Sequence, residues 1–442
     1  MRRVLVARLD SAGDVLLSGP AVRAVAAADT RVSYLCGPQG QAAARSLPGV
    51  DEVFTFNSPW ITAPAPAATD EHLQPLRDFL AERQFDEALI LTSFHQSPLP
   101  LALLLRLAGV PRITGASVDY PGSLLDVRLR PGEDFAEDQP EALRALGIAE
   151  AAGYRLPAGD DGALAVRDIP DTRHLTGTKP YVVIHPGAAV PARTWPALHH
   201  AALVELLDAA GWLPVVTGGP SERQLTATVA GTAGLDLGGA TDFHTLGGVL
   251  AGAEVVVTGN TGPAHLAAAV GTPVASLFSP VVPAIRWAPY KVAVELLGDQ
   301  QAPCALSRAR ECPVPGHPCL TQVTPEEVFA AVQRLGSGVA SFTTRRERRI
   351  AALRASSLAL ESDPVVLTTE QAQDVARALN DVRLVLASRL GIDSPQDAER
   401  VAELTDFGTA QTVEQYMGVV YNFVSWLQET LMEALLKTLP SS

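Results

Sequence analysis

Residues 254–274 read EVVVTGNTGPAHLAAAVGTPV, and this stretch decides the fold of the chain. It begins with a run of valines and passes through a glycine-containing loop. An alanine-rich segment from Pro263 to Val270 follows, and a Gly-Thr-Pro turn leads to a further valine. A short apolar run is typical of a strand buried on both faces, and proline is favoured in the first turn of a helix. The stretch therefore predicts a strand, a helix and the start of a second parallel strand.

The same pattern recurs along most of the chain. Short apolar runs that end in small or polar residues are VLVARLDSAGD, VSYLCGPQG, EALILTSFH, YVVIHPGAA, LPVVTGGP and PVASLFSP, and a helix is predicted from Trp195 to Ala210. Alternating strands and helices predict doubly wound parallel sheets. The pattern occurs twice, so we expect an α/β protein with two Rossmann-like domains, residues 1–172 and 178–338. They meet in the polar linker 167–180 and face a common cleft.

A third region begins near residue 340 and differs in composition from the rest. Its leucine, valine and aromatic residues recur at helical intervals, which predicts a helical appendage over residues 340–442. The basic run RRERR, Arg345 to Arg349, is interpreted as a solvated hinge rather than a nucleic-acid patch because the chain is acidic overall. No residue in this region suggests a catalytic site.

Composition and charge exclude several classes of protein. The chain has 442 residues, of which 47% are hydrophobic, and its net charge is −14, which disfavours broad binding to nucleic acid or anionic lipid. It has no uninterrupted apolar stretch of about 18 residues and no signal-peptide pattern, so we expect a cytoplasmic protein. Four cysteines are too few for a disulfide-rich secreted scaffold.

Asp14 follows the first predicted strand, Val4 to Leu9, in a turn or at the start of a helix. A carboxylate there either complements the helix dipole or acts in catalysis. No Gly-x-Gly-x-x-Gly, P-loop or Gly-x-Ser-x-Gly motif follows a strand, which disfavours a dinucleotide dehydrogenase, a P-loop nucleotidase and a serine hydrolase. Asp14 is therefore the most credible base.

Three loops in the second half of the chain carry groups suited to a phosphate. Thr261 and Gly262 begin a predicted helix, where free amides bind anions, although a capped turn explains them equally. Arg193 follows a strand and a glycine-containing turn; it is suited to phosphate oxygens or is a surface residue. Glu222 is suited to ribose hydroxyls or complements a helix dipole. His265 points towards the same helix start or is a structural histidine.

Taken together, these segments resemble glycosyltransferase family nine, which includes the lipopolysaccharide heptosyltransferases. The resemblance is carried by DSAGDVLLSGPAVRAV, HPGA with Arg193 and Trp195, VTGGPSER, GNTGPAHLAAAVGTPVASLFSP and the late CP..GHPCL segment, and it covers about residues 1–335. It implies the two-domain GT-B fold. It also implies an inverting transfer from a nucleotide-diphosphate sugar without a catalytic metal or other cofactor.

The resemblance also implies a role for each matching residue. Asp14, from the family's Gly-Asp pair, would take the proton of the acceptor hydroxyl, because an alcohol is a poor nucleophile until its proton begins to leave. The departing diphosphate would be stabilised by cationic and amide groups of the second domain. The residues expected to bind the donor are Gly13, Arg193, Gly219, Glu222, Asn260, Thr261, Gly262 and His265.

Asn260 departs from the family pattern, since many members carry aspartate there. The charge is lost, so neither ADP nor heptose is assumed as part of the donor. A non-catalytic nucleotide-sugar or partner-binding protein and a nucleotide-sugar epimerase therefore stay open as alternatives. The expected partners are a nucleotide-diphosphate sugar and a glycan or lipid-linked acceptor, reached by transient peripheral contact at the inner face of the membrane. The tail faintly resembles an uncharacterised actinobacterial helical domain.

Three cysteines lie together late in the chain. Cys304, Cys312 and Cys319, with His317, form the pattern C-x7-C-x4-H-x-C, which departs from the usual paired spacing of zinc ligands. We therefore expect a reduced structural loop and no metal, with zinc as the alternative.

Overall fold

The computed structural model describes residues 1–93, 96–336 and 412–437, with isolated positions between 379 and 401. Residues 1–337 form one compact unit and residues 338–442 form a second. The first unit contains two six-stranded sheets. The predicted α/β class with two Rossmann-like parallel sheets is thus confirmed, whereas the predicted domain boundaries stay predictions.

The amino-terminal sheet is fully parallel and is built from strands β1 to β6. They are β1 (Arg2–Arg8), β2 (Thr30–Cys36), β3 (Glu52–Thr55), β4 (Glu87–Ile90), β5 (Arg112–Ala116) and β6 (Val127–Leu129). Their order is β3-β2-β1-β4-β5-β6. The chain therefore reverses direction across the sheet between β1 and β4, which is where ligands bind in doubly wound folds.

The carboxyl-terminal sheet repeats this topology and is also fully parallel. Its strands are β7 (Tyr181–His185), β8 (Leu213–Gly218), β9 (Leu235–Gly238), β10 (Val255–Gly259), β11 (Val274–Leu277) and β12 (Val294–Leu297). The order β12-β11-β10-β7-β8-β9 places the second reversal between β7 and β10. Two equivalent ligand-binding edges are thus available.

Helices connect the strands in both halves. The helices of the first half are α1 (Ala12–Leu17), α2 (Gly19–Ala26), α3 (Gln41–Ser46), α4 (Asp70–Arg83), α5 (Leu99–Leu107) and α6 (Glu141–Ala151). Those of the second half are α7 (Arg173–Thr176), α8 (Ala197–Ala209), α9 (Arg223–Ala230), α10 (Phe243–Ala251), α11 (Gly262–Ala269), α12 (Ala284–Trp287), α13 (Pro318–Thr321) and α14 (325–336). We call β1–β6 with α1–α6 the amino lobe and β7–β12 with α7–α14 the carboxyl lobe.

The predicted helices lie close to the observed ones. The helix expected from Trp195 begins at Ala197, because Pro196 is extended, with ψ of 136°, and stands just outside the helix. Trp195 is instead buried, and its indole N–H donates to the carbonyl of Val323 at 3.0 Å. Buried aromatic rings with a satisfied N–H anchor a chain segment firmly, so Trp195 ties the loop before α8 to the region before α14.

Burial explains the strands of both sheets. The last five residues of β1 are buried, and all residues of β7, β10 and β11 are buried. Helices cover both faces of such sheets, so their central strands read as continuous apolar runs. The predicted buried strand at the amino terminus is confirmed.

The second unit contains a long helix, α15 (Val413–Lys437). It begins with a capping box, in which the Gln415 amide N–H donates to the Thr412 hydroxyl and the Thr412 amide donates to the Gln415 side chain, both at 3.2 Å. This helix agrees with the predicted helical appendage. The basic run Arg345 to Arg349 lies outside the described residues. No helix in the described part of the chain is long and apolar enough to span a membrane.

Candidate functional site

A cleft of about 470 Å³ lies between the two lobes, at the carboxyl ends of their strands. It is formed where each sheet reverses its strand order, since its lining comes from the loops after β1, β4, β7 and β10, with additions after β11 and β12. The residues that line it are Asp10, Ser11, Gly13, Asp14, Ser93, Gln96, Arg193, Asn260, Thr261, Gly262, His265, Val282, Trp287, Arg308 and Arg310.

Asp14 lies in the first turn of α1, and its side chain is 20% exposed to this cleft. Its carboxylate does not cap the helix. One oxygen accepts a hydrogen bond from Nη2 of Arg8 at 3.1 Å, and the other accepts from the Ser11 hydroxyl at 2.8 Å. The carboxylate is therefore held in one orientation by two side chains of the amino lobe.

Arg8 is the last residue of β1, and its side chain is only 3% exposed. Its Nε lies 2.6 Å from an oxygen of Asp10, and its Nη2 donates to the Ser93 hydroxyl as well as to Asp14. Glu141, from α6, lies 3.7 Å from the same Nη2. A buried guanidinium is thus surrounded by three carboxylates, which offset the cost of its desolvation.

These contacts set the charge of Asp14. Burial alone raises the pKa of this carboxyl, but the charge of Arg8 and the hydrogen bond from Ser11 outweigh it, and the pKa lies below its ordinary value. Asp10 has the opposite shift, because burial dominates and raises its pKa. Asp14 is therefore ionised at neutral pH, as a proton acceptor must be.

The carboxyl lobe presents the amino terminus of α11 to the cleft. Thr261 is the N-cap residue, and within the described residues no side chain accepts a hydrogen bond from the first amides of the helix. Gly262 is the first helical residue and lies beside the backbone of Gly13, because a Cβ on Gly262 would come within 3.8 Å of the Gly13 nitrogen. The amides and the helix dipole make this end of α11 suited to an anion.

Arg193 stands beside this helix end. Its Nη1 donates to the carbonyl of Asn260 at 3.3 Å, while its buried Nε has no hydrogen-bond partner among residues 1–93 and 96–336. Burial lowers the pKa of this guanidinium, yet arginine stays cationic at neutral pH. The backbone of Arg193 packs closely against Gly259, because a Cβ on Gly259 would lie 2.8 Å from the Arg193 carbonyl oxygen. Glycine at position 259 thus allows Arg193 to lie here. Arg193 is thus a desolvated cation facing the cleft.

His265 lies in α11 and is 6% exposed. Burial lowers its pKa to about 4, so the imidazole is neutral at pH 7. Its Nδ1 is buried without a hydrogen-bond partner in the part of the chain that the structure describes. A neutral imidazole in this state offers one polar group to a ligand in the cleft.

Asn260 is 4% exposed and reaches the backbone of Ser279 in both directions. Its Nδ2 donates to the Ser279 carbonyl and its Oδ1 accepts from the Ser279 amide, both at 3.4 Å. This pair of bonds needs an amide, because a carboxylate has no hydrogen to donate. Asparagine at this position thus connects the loop after β10 to the loop after β11.

Gly219 and Glu222 are not among the residues that line the cleft. They form the neighbouring turn after β8, where an oxygen of Glu222 accepts the Gly219 amide at 2.7 Å. A Cβ on Gly187, in the loop after β7, would lie 1.8 Å from the other oxygen of Glu222. The turn therefore lies beside β7, next to the cleft.

Several residues of the site were not predicted from the sequence: the buried Arg8, which contacts Asp14, and the cleft-lining Asp10, Ser93, Gln96, Trp287, Arg308 and Arg310. One of them carries a local signal, because Arg8 is a charged residue at the end of a buried apolar strand and charged residues are rarely buried without a partner. The others lie in loops or, for Trp287, in α12, after strands that only the tertiary structure brings together.

The loop that carries Cys304, Cys312 and Cys319 packs in and against the carboxyl-lobe core. Cys304 and Cys319 are each 2% exposed and pack in the carboxyl-lobe core with Leu320 and Val323. All four cysteines of the chain are free thiols. Burial raises the pKa of the Cys319 thiol, with Cys304 acting in the same direction. Among the described residues, no three histidine, cysteine, aspartate or glutamate side chains form a group that could hold a metal ion.

Family models match two parts of the chain. The model of glycosyltransferase family 9 (heptosyltransferase) matches residues 76–317, which is more than half of the chain. A model of a domain of unknown function (DUF2017) matches residues 341–435. The first match covers the strands, loops and helices that build most of the carboxyl-lobe side of the cleft.

Curated proteins and solved structures give the same relationship. Lipopolysaccharide heptosyltransferase 1 of Pseudomonas aeruginosa is 29% identical over 335 residues, which is 70% of this chain and 87% of that protein. Lipooligosaccharide heptosyltransferase 2 of Haemophilus influenzae is 32% identical over 117 residues, 25% of this chain and 34% of that protein.

Two solved structures share the fold over three quarters of the chain. E. coli ADP-heptose lps heptosyltransferase II has a TM-score of 0.58 and 19% identity, covering 76% of this chain and 98% of that one. The glycosyl transferase family 9 protein of Veillonella parvula has a TM-score of 0.61 and 17% identity, covering 76% and 97%.

Proposed function

Because this chain belongs to glycosyltransferase family 9, the heptosyltransferase family, we propose that it transfers a heptose-type sugar from a nucleoside diphosphate to an acceptor hydroxyl. The transfer inverts the anomeric carbon and needs no metal ion. The observation that carries this proposal is the position of Asp14 in one cleft with Arg193 and the amino terminus of α11. A proton acceptor of the amino lobe and an anion cradle of the carboxyl lobe share one space.

In the proposed reaction, Asp14 accepts the proton of the acceptor hydroxyl while the hydroxyl oxygen forms a bond to the anomeric carbon. The bond between the anomeric carbon and the diphosphate oxygen breaks on the opposite face, and its electron pair leaves with the diphosphate. The proton then passes from Asp14 to solvent. Attack and departure on opposite faces produce inversion.

The leaving diphosphate gains negative charge, which must be balanced as it forms. Arg193 and the amide of Gly262 line one end of the cleft and serve this purpose, whereas the Thr261 amide donates to the Gly259 carbonyl at 2.8 Å. Arg308 and Arg310 add cationic side chains to the lining. Fixed guanidinium groups and helix amides thereby supply the stabilisation that a metal ion provides in other enzymes.

The nucleoside of the donor extends from the diphosphate towards the turn that holds Gly219 and Glu222. This turn lies beside β7, and the carboxylate of Glu222 is suited to accept hydrogen bonds from ribose hydroxyls. One structural relative is described as acting with ADP-heptose, so an ADP donor is the first to test. Asn260 stands where the family resemblance implies aspartate, so UDP and GDP donors are tested beside ADP.

The acceptor is a glycan or lipid-linked saccharide of the cell envelope. The names of the relatives, which specify lipopolysaccharide and lipooligosaccharide, support a glycolipid acceptor. We propose that the protein is cytoplasmic and binds transiently to the inner face of the membrane, where such an acceptor is held.

The test begins with a thermal-shift screen of ADP, UDP and GDP and of their sugars, since a ligand that binds only the folded state raises the melting temperature. The best donor is then incubated with saccharide acceptors, and product stereochemistry is read by NMR. We expect a transferred sugar with inverted configuration and an unchanged rate in excess chelator. Donor binding without transfer or hydrolysis would favour a non-catalytic binding protein, and a changed sugar without acceptor would favour an epimerase.

Asp14→Asn tests the role of the base. The variant should bind nucleoside diphosphate like the original protein and lose about 10²- to 10⁴-fold in turnover, the range of general acid–base catalysis. Asp78→Asn is the matched control, because Asp78 lies exposed on α4. Undiminished turnover in Asp14→Asn would remove Asp14 from the mechanism.

A further inference from the structure

Three carboxylates approach Arg8, but only two of them are within hydrogen-bond reach. Arg8 Nη2 carries two hydrogens. It donates to the Ser93 hydroxyl and, at 3.1 Å, to Asp14. The third carboxylate, Glu141, lies 3.7 Å away, beyond hydrogen-bond distance. Glu141 is therefore a competitor for a hydrogen that Asp14 now holds.

The carboxyl lobe supplies the group that restrains this competitor. Arg286, in α12, donates to Oε1 of Glu141 through Nε at 2.9 Å and through Nη2 at 2.6 Å. Its Nη1 donates to Glu137 at 3.0 Å. The other oxygen of Glu141, Oε2, is buried and has no hydrogen-bond partner in the described residues. Both Arg286 donors hold the same oxygen, so the free oxygen is the one that faces Arg8.

Burial makes this competition strong. The side chains of Arg8, Glu141 and Arg286 are 3%, 1% and 2% exposed. A buried carboxylate that loses its partner cannot be satisfied by water and is drawn to the nearest cation. Without Arg286, the cations that remain near Glu141 are Arg8, Arg144 and Arg308. Arg144 Nη1 already donates to the carbonyl of Thr92.

We propose that Arg286 is a positioning residue for the base: by binding Glu141 of the amino lobe from α12 of the carboxyl lobe, it leaves Arg8 free to orient Asp14. The premise is the proposed function, in which Asp14 accepts the acceptor proton. Asp14 is then held in its reactive orientation only while the two lobes are in contact at α12 and α6. Contact between the lobes and the state of the base are thus coupled through two ion pairs.

The pH dependence of the rate, which follows the ionisation of Asp14, tests the role of Arg286. Removing Arg286 turns Glu141 towards Arg8, weakens the Arg8–Asp14 contact and raises the pKa of Asp14. Since the ionised form is the active one, the acidic limb of kcat/KM then moves to higher pH. Charged and polar groups that face Asp14 from the packed elements are Arg8 of β1, Asp10 and Ser11 of the following loop, Arg193, His265 of α11 and Trp287 of α12.

The experiment compares Arg286→Gln, Glu141→Gln and the double variant in the full-length protein, using the donor that the thermal-shift screen selects. Arg286→Gln should lower kcat by about 10-fold or more and move the acidic limb upward, with donor affinity unchanged. Glu141→Gln should keep the original acidic limb, because Asp14 keeps its contact with Arg8, although loss of the buried charge should lower the melting temperature. The double variant should recover most of the rate and the original limb, because the competitor is gone. Recovery from a second substitution is the decisive result.

Arg23→Gln is the matched control. Arg23 and Asp160 form another partly buried ion pair at 2.6 Å, with side chains 14% and 17% exposed, inside the amino lobe. Loss of this ion pair in Arg23→Gln should lower the melting temperature and leave the acidic limb of kcat/KM at its original pH. If Arg286→Gln does not fold, Arg286→Lys replaces it, with a smaller upward shift that the added Glu141→Gln abolishes.

An unshifted limb in the Arg286 variant, or a double variant that stays as impaired as the single one, would overturn the positioning role. Asp14→Asn is measured alongside. Full activity of Asp14→Asn defeats the proposed function itself. Loss of activity in Asp14→Asn together with a normal limb in the Arg286 variants defeats the positioning role alone.

Discussion

A Cβ atom on Gly13 would lie 2.8 Å from Cδ2 of His265, across the cleft from α1 to α11. Real Cβ atoms do not approach other heavy atoms this closely. The residue before Asp14 is therefore glycine because a helix of the other lobe occupies the space of a side chain. Gly13 sets the separation of the proton acceptor and the anion cradle.

Gly13→Ala should force α1 and α11 apart. Because overpacking a filled site costs about 1–3 kcal/mol, the melting temperature should fall, and the donor should bind more weakly. Gly147→Ala is the control, since Gly147 lies in α6 and a Cβ there meets nothing within 4 Å. That substitution should stabilise the protein by about 0.5–1 kcal/mol. Equal melting temperatures and donor affinities of the two variants would contradict the close contact.

Arg193→Gln should weaken binding of the nucleoside diphosphate. A hydrogen bond to a charged group contributes about 1.5–3 kcal/mol, so we expect a loss of roughly 10- to 100-fold by calorimetry. Arg193→Lys should recover only part of it, because an ammonium binds phosphate as a point charge. Affinity for the unphosphorylated nucleoside should not change. An equal loss for nucleoside and diphosphate would show that Arg193 acts on the fold instead.

His265→Gln should change how stability depends on pH. Burial holds the pKa of His265 at about 4 in the folded protein, against 6.5 for an unhindered imidazole. The unfolded chain therefore binds a proton that the folded chain does not between these values, and stability falls as pH falls from about 6.5 to 4. Denaturant titrations should show a shallower fall in the variant. His174→Gln, at an exposed position, is the control for the loss of one imidazole.

Asn260→Asp should destabilise the protein although the family resemblance implies aspartate at this position. The carboxylate loses the hydrogen bond to the Ser279 carbonyl and is repelled by that oxygen, a cost of about 1–3 kcal/mol. The added negative charge near Arg193 should also weaken diphosphate binding. Asn57→Asp, at an exposed residue, controls for the charge change in thermal melts. A rise in donor affinity would contradict the expected repulsion between the new carboxylate and the diphosphate.

Glu222→Gln should affect the nucleoside and spare the diphosphate. The variant keeps an oxygen for the Gly219 amide but loses the charge that strengthens hydrogen bonds from ribose hydroxyls. We expect a loss of about 3- to 10-fold for nucleoside diphosphate and none for inorganic pyrophosphate, measured by calorimetric titration. A comparable loss for pyrophosphate would place Glu222 at the phosphates.

Much of the architecture was predictable because local patterns carry it. The valine runs of β7 and β10 and the alanine-rich α11 each follow from apolar spacing and turn residues within a few positions. The predicted residues that met in the cleft, such as Asp14 and Arg193, all follow the carboxyl ends of parallel strands. Each parallel sheet gathers its own strand ends at one edge, so the sequence was enough to predict these residues at the ligand-binding edge of their own sheet. Their meeting across the cleft depends on how the two lobes pack.

The position of Glu222 relative to the cleft does not follow from the local sequence. It stands at the end of a strand like the others, yet its turn follows β8 rather than a strand at the reversal point, so it lies beside the cleft. Strand order within a sheet depends on crossover connections that apolar spacing does not encode. The adjacency of the turn to β7 became visible only with the sheet.

Local sequence thus specified the elements, the family and the ionisable residue after β1, because each depends on neighbours in the chain. The environment of that residue depended on packing alone. Arg286 and Glu141 are separated by 145 positions, and their contact arises where α12 of one lobe meets α6 of the other. An ion pair of this kind forms only when the two lobes pack together. The residue pattern of each segment does not show which distant side chains will come into contact.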